Sequence, residues 1–248
     1  MIPLSFAQRR LWFVDRFEGP SPTYNGAFAL RLTGELDAGA LRSALHDVID
    51  RHEVLRTVIV EGDDGIPYQQ VLASGERPVD LPVVEVAAQG RAAAVDAVAK
   101  ETFDLAADVP IRARLVRTGP REHTLVLVVH HIALDGESLG PLLRDLIEAY
   151  SARREGRAPA WEPLPVQYAD YTLWQQDVLG DESDPDSLAG RQLAYWREAL
   201  AGMVQPLALP TDRPRPKRVS PDGGLVRFPI DAGLLEAVEK LAAEQDIT

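Results

Sequence analysis

Two adjacent imidazoles close an apolar run in residues 125–140, "LVLVVHHIALDGESLG", and Asp135 and Gly136 follow a few residues on. The run reads as a buried strand. Its polar groups therefore stand where a strand gives way to a turn, a common place for chemistry in open α/β sheets. Metal binding is the first chemistry to weigh. Successive strand residues point to opposite faces, so His130 and His131 cannot both reach one ion from a regular strand. The chain has no HExxH and only five histidines, with His123 as the further imidazole across the hairpin. A zinc site needs a fuller ligand set, and no metal is expected. A bland alternative is that both histidines end a strand, hydrogen-bonded to backbone. Opposite faces suggest instead a division of labour, with one ring packed as support and the other presented at an opening. A presented neutral imidazole can accept a proton near neutral pH. Asp135 could orient a neighbour through an ion pair, and Gly136 would let the backbone approach a substrate.

Other chemistries fare worse. "GES" at 136–138 lacks the G-x-S-x-G elbow, and Ser138 is expected to cap the next helix. Asp63 and Asp64 sit in a glycine-flanked turn and read as solvated loop. There is no glycine loop of the kind that cradles phosphate. The absence of cysteine excludes a disulfide framework, a zinc ribbon and a thiol nucleophile, so any thioester chemistry must bring its sulfur from elsewhere. With 38 acidic against 26 basic residues the formal net charge is -12, which argues against nonspecific nucleic-acid binding. No apolar stretch approaches membrane-spanning length. The opening "MIPLSFAQRRLWF" lacks the plan of a secretory signal, so a cytoplasmic protein is the expectation.

The elements that must position these residues are read from periodicity. Residues 5–17 predict a short helix capped by Ser5, and "AFALRLTG" a strand. Leu41, Leu45, Val48, Ile49 and His52 recur at helical spacing over residues 38–52. "LRTVIVE" predicts a strand turning at "GDDG", and residues 88–101 an Ala-rich helix. "IRARLVRT" and "HTLVLVVH" predict an antiparallel hairpin through "GPRE". A helix follows the histidine junction from Leu139 to Tyr150, and "DSLAGRQLAYWREALAGM" predicts another. The proline-rich "LPTDRPRPKRVSPDGG" reads as a linker, followed by a strand "LVRFPI" and a helix at 231–246. The layout is mixed α/β with some antiparallel pairing.

"HHIALDG" resembles the HHxxxDG signature of condensation domains from nonribosomal peptide synthetases. A bare HxxxD also occurs in other acyltransferases of the chloramphenicol acetyltransferase-like fold, so the neighbouring blocks carry the case. "SFAQRRLW" at 5–12 resembles the family's S-x-A-Q-x-R-L-W, "RHEVLRT" at 51–57 its R-H-E-x-L-R-T, and "YADYTLW" at 168–174 its Y-x-D-Y-x-x-W. They stand in family order, and "YWREAL" and "LPTDRPRP" fit the same pattern. The resemblance implies a chloramphenicol acetyltransferase-like α/β fold, with a mixed, partly antiparallel sheet flanked by helices. Residues 1–175 would form the N-terminal lobe, 176–222 a helix and crossover, and 223–248 the start of a second lobe. It further implies peptide-bond formation between a donor thioester and the α-amine of an acceptor. Both substrates would be held on phosphopantetheine arms of upstream and downstream carrier proteins, with no cofactor bound by the chain itself. His131 would be the catalytic residue, deprotonating or positioning the amine, with His130 as its support. Asp135 would make a structural ion pair, for which Arg51 and Arg56 are the candidate partners. The Gly136 N–H could stabilise oxyanion charge.

The double-Asp pattern of the cyclising relatives is absent, and the opening and "RHEVLRT" blocks favour condensation over epimerisation. The "PLLRDL" continuation resembles the subgroup that accepts a donor ending in a D-configured residue. The family's later blocks do not appear before Thr248, so the chain reads as the first lobe and the start of the second, a fragment of a larger modular enzyme. Adjacent synthetase domains and the missing C-terminal lobe would be its partners, and the active site would be incomplete without that lobe. Two other functions stay open: a coenzyme A-dependent acyltransferase of the same fold, and a carrier-protein docking fragment without activity of its own.

Overall fold

The computed structural model describes residues 1–203, 209–214, 226 and 228–247. It divides into two units, Met1–Leu209 and Pro210–Thr248. In the first unit a two-residue strand, β1 (Ile2–Pro3), precedes helix α1 (Phe6–Glu18). Ser5 caps α1 reciprocally: its Oγ accepts the Gln8 N–H at 3.2 Å while Gln8 Oε1 accepts the Ser5 N–H at 3.1 Å. Strand β2 (Asn25–Thr33) leads to α2 (Ala38–Arg51), which Asp37 caps through the Ala40 N–H. A 3-10 turn at Glu53–Arg56 follows, then β3 (Thr57–Glu61) and β4 (Pro67–Val71), joined through the expected "GDDG" turn.

Next come β5 (Val83–Glu85), a 3-10 turn and α3 (Arg91–Ala99), a shorter helix than the 88–101 expected. Strands β6 (Ile111–Gly119) and β7 (Glu122–His130) form the expected hairpin, in register from Ile111↔Val129. Helices α4 (Leu139–Arg154), α5 (Tyr168–Leu179) and α6 (Leu188–Ala199) complete the unit. In the second unit the described helix is α7 (Ala232–Glu244). The strand expected at "LVRFPI" is not seen in its described residues, Val226 and Phe228–Ile230; positions 225 and 227, like 215–224 of the linker, lie outside the described residues.

The larger sheet has the order β2-β7-β6-β5, with β7 antiparallel to β2 and β6, and β5 parallel to β6. The smaller sheet, β1-β4-β3, is antiparallel. Strand β7 is central, and its alternation explains its unbroken apolar run. Leu125, Leu127 and Val129 pack on Leu45, Val48 and Leu146 of α2 and α4. Val126 and Val128 pack on Leu11 of α1 and Val98 of α3. Helices thus cover both faces of this strand, and both kinds of position must be apolar. The result is the mixed, partly antiparallel sheet flanked by helices that the sequence predicts.

Candidate functional site

His130 is the last ladder residue of β7, opposite Asn25. Its ring is 3% exposed and lies edge-on to Phe103 at 6.0 Å. Nδ1 accepts the Ile132 N–H at 3.1 Å, so in the neutral ring the proton sits on Nε2. Burial, with the neighbouring charge of His131 adding to it, pushes the His130 pKa down to about 4. This imidazole is therefore neutral at physiological pH.

His131 stands just past the ladder, where its N–H donates to the Tyr24 carbonyl at 2.8 Å and the chain turns. The side chain is exposed. Nδ1 lies 3.1 Å from the Leu134 carbonyl, which can only accept, so Nδ1 carries the proton. In the neutral ring Nε2 then keeps its lone pair, the form a general base requires. The two adjacent rings thus differ in burial, His130 closing the ladder and His131 one residue beyond it. His123, at the far end of β7, is about 23 Å away along the chain and does not join them. Among the described residues no group of three His, Cys, Asp or Glu side chains could hold a metal ion.

Asp135 and Ser138 form a reciprocal cap. Asp135 Oδ1 accepts the Ser138 N–H at 3.0 Å and the Ser138 hydroxyl at 2.5 Å, while the Asp135 N–H donates back to Ser138 Oγ at 3.2 Å. The expected roles are therefore exchanged. Ser138 has helical torsions, φ -68 and ψ -25, and makes no cap bond into α4. A capping side chain accepts from an N–H a few residues later, and here that side chain is Asp135, through the Ser138 N–H. These bonds, the hydroxyl's first, hold the Asp135 carboxyl below the usual carboxylate range.

The expected ion pair from Asp135 to Arg51 or Arg56 is not formed. Arg51 Nε donates to Asp145 Oδ2 at 3.0 Å, and its guanidinium lies over the Trp161 ring at 4.9 Å. His52 Nε2 donates to the same oxygen at 2.8 Å. Arg56 pairs with Glu53 at 3.3 Å and donates to the Leu72 carbonyl. Local competition supplies a physical reason: Asp135 Oδ1 is engaged by the Ser138 N–H and hydroxyl three residues away, while Arg51 and His52 at the end of α2 are engaged by Asp145 of α4. Gly136 is exposed; its φ is not in the left-handed region, and a Cβ there would meet nothing within 4 Å. No steric demand within the described chain requires glycine at this position.

The four sequence blocks converge. Ser5 Oγ and the Tyr168 hydroxyl are 2.8 Å apart, and Gln175 accepts the Phe6 N–H at 3.1 Å. Burial raises the Tyr168 pKa, against the opposing pull of its hydrogen bond with Ser5. Gln167 accepts the Glu53 N–H at 3.2 Å and donates to the Arg51 carbonyl at 3.0 Å. Helix α5 thus ties the opening block and "RHEVLRT" together beside the histidine turn. Sequence reading missed Tyr168, His52 and Asp145 as parts of this framework. The D-x-x-S spacing of Asp135 and Ser138 was the one local signal available for the cap.

Residues 1–248 match the family model of the condensation domain. The chain is 57% identical over 248 residues to the probable non-canonical nonribosomal peptide synthetase CymA of Salinispora arenicola, covering 100% of this chain and 3% of that protein. Among solved structures it resembles the X-domain from teicoplanin biosynthesis, with a TM-score of 0.87 and 38% identity, over 100% of this chain and 54% of that one. The starter condensation domain of rhizomide synthetase RzmA shares the fold, with a TM-score of 0.67 and 24% identity over 83% of this chain and 49% of that one. This chain belongs to the condensation-domain family of nonribosomal peptide synthetases, with its chloramphenicol acetyltransferase-like fold. It spans about half the length of the solved domains it matches. No described helix is long and apolar enough to cross a membrane.

Proposed function

We propose that this chain is the histidine-bearing part of a condensation domain that forms peptide bonds in the cytoplasm. Upstream and downstream carrier proteins deliver the donor and acceptor as thioesters on phosphopantetheine arms, and adjacent synthetase domains hold the carriers in reach. The acceptor α-amine attacks the donor carbonyl. A C–N bond forms, the C–S bond breaks, and the amine proton ends on the departing thiol. The observation that carries this reading is the His131 ring, exposed and with Nδ1–H committed to the Leu134 carbonyl. Its Nε2 is the group that accepts or orients the amine proton, help worth about 10²–10⁴-fold. His130 backs the turn as a neutral ring. The Gly136 N–H follows directly on Asp135, and its role in this reading is to meet developing oxyanion charge. The chain binds no cofactor of its own in this reaction.

The test is transfer between two loaded carriers, read by intact mass. It uses this chain and a form extended through the residues its relatives carry beyond the matched stretch. The extended form is expected to move the donor acyl mass onto the acceptor carrier. Carrier binding without transfer, across several carrier pairs, would replace this reading with that of a docking module.

A further inference from the structure

We propose that Ser138 is a positioning residue for His131, acting through the reciprocal cap with Asp135 to hold the ring's tautomer and direction. The inference rests on the reading of His131 as the acting imidazole, but its geometry stands separately. The His131 ring is fixed by one hydrogen bond, Nδ1 to the Leu134 carbonyl at 3.1 Å. That carbonyl belongs to the peptide unit joining Leu134 to Asp135, so its direction is set by the Asp135 backbone. The Asp135 N–H of the same unit donates to Ser138 Oγ at 3.2 Å. One peptide plane therefore accepts from His131 through its carbonyl on one edge and donates to Ser138 Oγ through its N–H on the other. Ser138 also clamps the Asp135 side chain through its own N–H at 3.0 Å and hydroxyl at 2.5 Å.

A hydroxyl suits this place because it both accepts from the peptide N–H and donates to the carboxylate. Charge assistance strengthens the second bond. Alanine removes both bonds and leaves only the Ser138 N–H on Asp135. The peptide plane is then free to rotate, and the Leu134 carbonyl loses its fixed aim at Nδ1. Helix α4 survives, because the Asp135 carboxylate still accepts the Ser138 N–H. Threonine keeps the hydroxyl and should keep the function. Misplacing a catalytic group from outside the reacting centre can cost up to about 10²-fold in rate.

The experiment compares wild type, Ser138→Ala and Ser138→Thr in this chain, using imidazole 1H–15N correlation spectra to read the His131 tautomer. Circular dichroism confirms that α4 remains. Wild type and Ser138→Thr are expected to show the Nδ1–H form, and Ser138→Ala a shift toward Nε2–H. An Nδ1–H signal unchanged in Ser138→Ala overturns the proposal. If Ser138→Ala unfolds the chain, Asp135→Asn decides. The asparagine loses the charge that strengthens the Ser138 hydroxyl bond, so a partial shift from Nδ1–H toward Nε2–H is expected, and an unchanged Nδ1–H signal overturns the proposal. Transfer is then measured in the extended form. A shifted tautomer with reduced transfer supports both the inference and the reading of His131. A shifted tautomer with undiminished transfer supports the positioning role while removing His131 from the chemistry.

Discussion

Arg51 and Asp145 are joined across α2 and α4, with Nε 3.0 Å from Oδ2 and side chains 16% and 9% exposed. His52 reaches the same oxygen at 2.8 Å. The arginine of the "RHEVLRT" block is thus a brace between two helices that flank the sheet, and it does not touch the motif aspartate.

A buried charge left without its partner is costly, so Asp145→Ala should destabilise the fold by about 3 kcal/mol. A double-mutant cycle should couple Arg51 to Asp145 by about 1–3 kcal/mol, and Arg51 to Asp135 by less than about 0.5 kcal/mol. Urea denaturation of the single and double mutants measures both. Equal coupling in the two cycles would restore the ion pair that the sequence suggested.

His130 makes stability depend on pH. Its folded pKa, about 4, lies below the ordinary histidine value of 6.5, so the unfolded chain binds more protons between these values. The stabilisation is complete above about pH 6.5 and is lost as pH falls through the folded value near 4. The full difference is about 3 kcal/mol. An NMR titration of the His130 ring should show its midpoint near 4, whereas a midpoint near 6.5 would contradict the burial argument.

Gln69 of β4 holds three elements at once. It accepts from Gln8 Nε2 at 3.2 Å and donates to Thr172 Oγ1 at 3.2 Å and to the Pro3 carbonyl at 2.8 Å. Gln8, Gln69 and Thr172 are all buried. Gln69→Leu leaves the Gln8 amide and other groups unmatched and should cost about 2–3 kcal/mol. Faster amide exchange in α5 should accompany the loss, and a stability equal to wild type would refute the network's role.

Gly190 lies in the first turn of α6, where a Cβ would stand 2.1 Å from the Asp184 carbonyl oxygen. Alanine favours helix over glycine by about 1 kcal/mol, but here the neighbour is backbone and must shift. Gly190→Ala should therefore destabilise by about 1–3 kcal/mol, read as a lower thermal midpoint. A higher midpoint would mean that the 181–187 loop yields freely.

What the sequence disclosed follows from how local each signal is. The helix at Leu41–Ile49 and the hairpin of β6 and β7 were legible because burial imposes their periods directly on residue type. Helix α5 was not legible: among its twelve residues only Thr172 is buried, while Tyr171, Leu173 and Trp174 are exposed, so no apolar stripe marks it. The contrast between a buried His130 and an exposed His131 was legible because neighbouring residues at a strand end face different surroundings. The partner of Asp135 was misread because an ion pair joins residues far apart in sequence. A serine three residues on competes for the same carboxylate at no cost in loop closure, and the spacing of that pair was on view.

The central claim is that His131 carries the transfer chemistry, and single-turnover transfer in the extended domain tests it most directly. His131→Ala should slow transfer by about 10²–10⁴-fold and leave the thermal midpoint unchanged, because the ring is exposed and packs into no core. A His131→Ala domain that transfers at the wild-type rate would contradict the account, whatever its stability.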